Sequence, residues 1–133
     1  MSTHVVYIAL GSNMPDSEAR GLLRQAMRLM QACLGGTGRC SAAVATRAIG
    51  MDVACTFINQ VAVFTTQLGA TDVAACLKQI ERRLGRRPSD KTDNVVRIDL
   101  DLLKVDDTIM RPLQMEWPHV AAAMAELDGG MQQ

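Results

Sequence analysis

Arg97-Ile98-Asp99-Leu100-Asp101-Leu102-Leu103 has the two-residue alternation of a β-strand, whose side chains point to opposite faces in turn. Ile98, Leu100 and Leu102 fall on one face, and Arg97, Asp99 and Asp101 on the other. The first face is wholly apolar and requires a core. The second carries two carboxylates roughly 6–7 Å apart along the strand. Like charges at that spacing repel unless a positive group sits between them. A hard divalent cation such as Mg²⁺, which takes one or two carboxylates plus substrate phosphates, answers that requirement. A solvated strand face partly neutralised by Arg97 answers it as well, and this stretch alone does not separate the two.

Outward from this strand, placed over residues 95–105, the chain divides into alternating elements. Residues 5–10 are a β-branched and aliphatic run that stops at Gly11-Ser12-Asn13, and they read as a buried strand. Asp16 or Ser17 can cap a helix over residues 17–33, with Leu23, Ala26, Met27, Met30 and Leu34 as its apolar stripe. Gly35-Gly36-Thr37-Gly38 breaks the chain, and residues 39–48 suit a strand. A loop over 50–56 precedes a strand at 57–66, rich in aromatic and β-branched residues. The second helix covers 71–84, with Val73, Cys76, Leu77, Ile80 and Leu84 at helical spacing and Gly85 as its stop. Residues 86–94 are polar, contain Pro88 and read as a loop. Beyond the acidic strand, Trp117-Pro118-His119 and an Ala-rich helix to residue 127 read as peripheral.

The resulting order, β-α-β-β-α-β, predicts an α+β, ferredoxin-like protein: an antiparallel sheet with its helices packed on one face. At 133 residues the chain fits one domain with a substantial core. A composition 48% hydrophobic and 21% charged excludes disorder, and zero net charge argues against a nucleic-acid or membrane surface. No apolar run approaches the roughly 20 residues of a membrane span, and the N-terminus lacks the pattern of a signal peptide. Cys33, Cys40, Cys55 and Cys76 form no Cys-x-x-Cys pair, so they are expected to be buried, reduced thiols of a cytoplasmic protein.

Four motifs then occur in order. They are Tyr7-Ile8-Ala9-Leu10-Gly11-Ser12-Asn13, Phe57-Ile58-Asn59-Gln60-Val61, Ile80-Glu81-Arg82-Arg83-Leu84-Gly85-Arg86, and Ile98-Asp99-Leu100-Asp101-Leu102-Leu103. Together, over residues 5 to about 119, they resemble the 6-hydroxymethyl-7,8-dihydropterin pyrophosphokinase family. That resemblance implies transfer of pyrophosphate from ATP to a pterin alcohol with release of AMP. Its partners are small-molecule substrates, and a homo-oligomer is compatible with it.

The family's roles fall on particular residues here. Its Mg²⁺-holding aspartates match Asp99 and Asp101. Its pterin pocket, a threonine in the loop of the second strand, an aromatic ring and an asparagine, matches Thr46, Phe57 and Asn59. Phe57 and Asn59 are two apart on one strand, so one ring can stack on a flat heterocycle while one amide pairs with its edge. The resemblance implies ATP contacts from His119, of the Pro118-His119 pair, and from Lys78 and Arg86. Arg86 and Arg97 join the aspartates as catalytic groups, with Arg87 and Lys91 as further positive charge.

The chain departs from the family as well. Where members carry Trp-Gly-Pro-Arg before the aspartate strand, Asp93-Asn94-Val95-Val96 stands here. Members also continue past the Pro-His pair with another arginine and an aromatic residue, whereas this chain runs into Ala121-Ala122-Ala123 and ends at Gln133. The expectation is therefore a short, divergent member of the family. Its functional classes are two: a pterin pyrophosphokinase, or a ferredoxin-like binding or regulatory module with little or no turnover.

Overall fold

β1 (His4–Ser12) is a central strand, hydrogen-bonded on both sides. The computed structural model describes residues 2–47, 55–92 and 94–131. One long edge of β1 pairs antiparallel with β4 (Thr56–Thr66) and the other with β5 (Asp99–Val105). Two short strands, β2 (Gly38–Cys40) and β3 (Val44–Arg47), lie along the far side of β4, and β6 (Thr108–Ile109) flanks β5. All pairings are antiparallel, which makes a six-stranded sheet in a mixed α/β fold. Positions 50–54 of the expected loop, and Asp93, lie outside the described residues.

The strand expected over 39–48 is broken in two. At the break Ser41 is buried, its backbone N–H donates to the Val61 carbonyl at 2.8 Å, and its hydroxyl accepts the Val61 N–H at 3.0 Å. A side-chain oxygen thus stands in for a ladder acceptor, which lets the chain kink without leaving a buried N–H unpaired. The strand expected over 95–105 begins later, at Asp99. Val95 and Val96 are held by the Asp90 carbonyl and the Asn13 side chain rather than by a ladder, after a left-handed Asn94 (φ 57°).

Both amphipathic helices form close to the expected limits, as α1 (Asp16–Leu34) and α2 (Ala70–Arg83). Pro15 rather than Asp16 or Ser17 occupies the position before α1, with no side-chain cap, and Gly35 (φ 72°) ends the helix in the left-handed region. Their buried stripes share one core with Val6, Ile8, Leu10, Ile58, Phe64, Leu100 and Leu102 from the first face of the sheet. Each fully buried aliphatic side chain there contributes about 1.5–3 kcal/mol of transfer free energy. Residues 86–94 are not wholly irregular, for they contain the single turn α3 (Pro88–Thr92).

Two expectations are corrected. The C-terminal segment is not peripheral. After α4 (Pro112–Met115), the helix α5 (Pro118–Met131) packs on the second face of the sheet, where Val120, Met124 and Leu127 join Tyr7, Val61, Val63 and Leu103 in a second core. Helices therefore cover both faces rather than one. The cysteines are not four buried thiols either. Cys33 and Cys76 form a disulfide between α1 and α2, Cys40 is exposed, and Cys55 is half-buried. Cys33 and Cys76 therefore lend no support to a reducing compartment. Among the described residues, no helix is long and apolar enough to cross a membrane.

Candidate active site

The site lies on the second face of the sheet, at the end that α5 leaves uncovered. Gly11 of β1 pairs with Asn59 of β4 on one side and with Asp99 of β5 on the other. Residues directly opposite share a face, so all three open into the same cleft. A Cβ on Gly11 would stand 3.2 Å from Asn59 Oδ1 and 3.7 Å from the Phe57 ring, so the glycine keeps the floor low. The Gly11 position thus belongs to the strand rather than to a turn ending it. The cleft encloses about 240 Å³, and Thr46, Phe57, Asn59, Arg86, Asp99, Asp101 and His119 all line it.

Thr46 sits in β3, directly opposite Phe57, rather than in a loop. Its hydroxyl accepts a hydrogen bond from Asn59 Nδ2. This contact fixes which way the Asn59 amide faces, with its carbonyl end left toward Gly11.

Asp99 and Asp101 project from alternate positions of β5. Asp101 is the deeper, with its side chain 15% exposed against 37% for Asp99. Burial first, and then the neighbouring Asp99 carboxylate, push the Asp101 carboxyl up to about 6. A hydrogen bond from Gln114 Nε2 (3.0 Å) and the Arg111 guanidinium (3.6 Å) offset part of that cost. Asp99 is matched by Arg86, whose Nη1 lies 2.9 Å from its Oδ1.

Arg86 also donates to Glu81 at 2.7 Å, and the same Glu81 oxygen accepts the Leu100 N–H at 2.8 Å. Glu81 is almost fully buried and clamps the end of α2 to β5 while it aims Arg86 at the cleft. Burial works against the Arg86 charge, but the Asp99 hydrogen bond and the two carboxylates outweigh it and raise its pKa.

Arg97 is not part of this arrangement. It precedes β5 in a bend, packs its stem against Gly85, and pairs with Glu18 of α1 at 3.3 Å. The expectation that Arg97 neutralises Asp99 is corrected, because the strand alternation that would aim it at the cleft has not yet begun there. Lys78 lines a second hollow of about 270 Å³ with Arg111, and Arg86, Asp99 and Asp101 line both hollows. The carboxylate pair thus stands at the boundary between the two. Arg87 turns to Asp90 at 4.0 Å, and the Lys91 side chain lies outside the described residues.

Sequence reading passed over Glu81, Arg111, Gln114 and Trp117. Glu81 stood in a quoted motif, and a carboxylate on the apolar stripe of a helix was the available signal. The other three come from the stretch taken as peripheral. The Trp117 ring lies 5.8 Å from that of His119, and burial pushes the His119 pKa down.

Among the described residues no group of three or more His, Cys, Asp or Glu side chains could hold a metal ion by itself. Two adjacent carboxylates of which one is already pushed toward protonation suit a cation that brings further oxygen ligands on a phosphate chain, as Mg²⁺ does.

The paired carboxylates thus lie between a hollow lined by the Phe57 ring and the Asn59 amide and a hollow lined by Lys78 and Arg111. The family model for 7,8-dihydro-6-hydroxymethylpterin-pyrophosphokinase matches residues 7–129, and the chain belongs to that family. Its members move pyrophosphate from ATP to hydroxymethyldihydropterin in folate synthesis. No curated protein matches the chain. Among solved structures, a hydantoinase/carbamoylase family amidase from Burkholderia ambifaria is similar over 79% of this chain at 7% identity and a TM-score of 0.45. An aminobenzoyl-glutamate utilization protein from Klebsiella pneumoniae is similar over 77% at 11% identity and a TM-score of 0.32. The chain spans only 28% of either structure, and likeness at this level carries no function across.

Proposed function

We propose that this chain is a Mg²⁺-dependent pterin pyrophosphokinase, transferring pyrophosphate from ATP to 6-hydroxymethyl-7,8-dihydropterin and releasing AMP. The observation that carries this reading is the position of Asp99 and Asp101 between the Phe57–Asn59 cleft and the Lys78–Arg111 hollow. On this reading residues 1–133 form one pyrophosphokinase-like domain. Its frame is ferredoxin-like βαββαβ, with β2 and β3 as the two halves of the second strand.

Phe57 stacks on the flat pterin and Asn59, oriented by Thr46, pairs with its edge. Lys78, Arg86 and His119 receive the phosphates of ATP, with Arg86 passing from Asp99 to the phosphate chain. Asp99 and Asp101 hold Mg²⁺, which when bound supplies charge neutralisation on the phosphates. The pterin hydroxyl oxygen bonds to the β-phosphorus, the bond from that phosphorus to the bridging oxygen of the α-phosphate breaks, and the hydroxyl proton leaves to solvent. Protein catalysis of such a step is positioning and charge stabilisation rather than covalent chemistry.

The test is AMP release from ATP and the pterin alcohol. AMP is expected only when ATP, pterin and Mg²⁺ are all present, and Asp99→Asn and Asp101→Asn are expected to abolish it with unchanged circular dichroism. Pterin binding by the unaltered chain without AMP release would replace the kinase with a ligand-binding module.

A further inference from the structure

Aromatic side chains are scarce in this protein: one Trp, one Tyr and two Phe. Two of those four rings, Phe57 and Trp117, line the same cleft. The indole is only half-buried. Its body packs against the second core, and the rest of it borders the cleft near the His119 ring. An indole so placed offers a large, rigid apolar face to whatever flat molecule enters.

Gln114 gives a second and independent indication. It lies one helical turn before Trp117, whose backbone N–H donates to the Gln114 main-chain carbonyl at 3.0 Å, and it lines the same cleft. Its Nε2 is committed to Asp101, but its Oε1 is buried with no hydrogen-bond partner, alone in this among the side-chain polar atoms of the described residues. A buried acceptor left unpaired destabilises a protein, and a donor arriving on a ligand removes that penalty. The ring and the residue carrying the unpaired acceptor therefore both border the cleft, next to the carboxylate pair.

We infer that Trp117 and Gln114 form a second wall of the substrate slot, Trp117 stacking on the flat ring of the pterin and Gln114 Oε1 accepting a hydrogen bond from a donor on it. The inference rests on the pterin reading of the cleft and adds two positioning residues to it. Both come from the segment after β6.

Calorimetric titration of 6-hydroxymethylpterin into the unaltered chain and four variants tests it. Trp117→Ala should weaken binding about tenfold or more, with Trp117→Phe losing less. Gln114→Leu should weaken it about fivefold, while Asn59→Ala reports on the cleft itself. Because Trp117 is the single tryptophan, saturating pterin should also shield the protein's fluorescence from acrylamide quenching. If Trp117→Ala and Gln114→Leu bind as the unaltered chain does while Asn59→Ala does not, the second wall is overturned and the pterin site stands. If the unaltered chain fails to bind pterin, the site reading falls and the inference with it. Should Trp117→Ala not fold, unchanged acrylamide access at saturation overturns the inference.

Discussion

At Asp101 ionisation is unfavourable in the folded protein, since burial and Asp99 push its carboxyl from an ordinary 3.8 to about 6. Below about pH 3 the group is protonated whether the chain is folded or not, and the fold carries no penalty. As pH rises toward 6 the unfolded chain releases the proton freely while the folded one resists, so the stability this group contributes at low pH is lost. The difference between 3.8 and about 6 corresponds to roughly 3 kcal/mol at most. Asp101→Asn removes the ionisation but weakens the contact with Arg111, so it should stabilise the protein by about 1–2 kcal/mol at pH 7.5 and by nothing at about pH 3. Denaturant unfolding at the two pH values measures this, and an equal effect at both would contradict it. The pairing of Asp99 with Asp101 was legible in the sequence because strand alternation assigns faces. Their cationic partners were not, because alternation says nothing of which distant side chain arrives. Arg97, nearest in sequence, went to Glu18, and Arg86, thirteen residues before Asp99, took its place.

Elements with a strong apolar period were readable to within a few residues, as α1, α2 and β4 illustrate. α5 was readable as an Ala-rich helix but its burial was not, because Ala121, Ala122 and Ala123 blur any apolar stripe, and only the sheet beneath it decides which side is buried. The break between β2 and β3 depends on the hydroxyl of Ser41 finding the Val61 N–H, a contact that no local pattern announces. The disulfide between α1 and α2 was likewise invisible, for its cysteines are 43 residues apart. Closing a loop of that size restricts the unfolded chain by about 4 kcal/mol on the chain-entropy account, and measured losses are typically about 2–4 kcal/mol. Cys33→Ser should therefore lower the unfolding free energy by that smaller amount, and dithiothreitol should lower that of the unaltered chain equally while leaving the variant unchanged. Identical denaturation midpoints for all four samples would exclude a stabilising bridge.

For the whole molecule, the sheet is sandwiched unequally. The first face is covered by two long helices, the second by α5 with Met115 of α4 and Trp117 beside it, and the cleft occupies the remainder of that second face. The smaller core has few residues to share a loss, so Leu127→Ala (3% exposed in the parent) should destabilise the protein by about 2–4 kcal/mol in chemical denaturation. A loss under about 0.5 kcal/mol would mean that α5 is dispensable to the fold. The placement of Gly11 between Asn59 and Asp99 reaches further than either core. Two inter-strand steps separate the amide from the carboxylate, a gauge of about 10 Å set by main-chain hydrogen bonding. Exchanging side chains does not alter that gauge, and neither does rebuilding the loops at the rim. Substitutions around the cleft can therefore accumulate while the interval from the Asn59 position to the Asp99 position is inherited intact from the backbone.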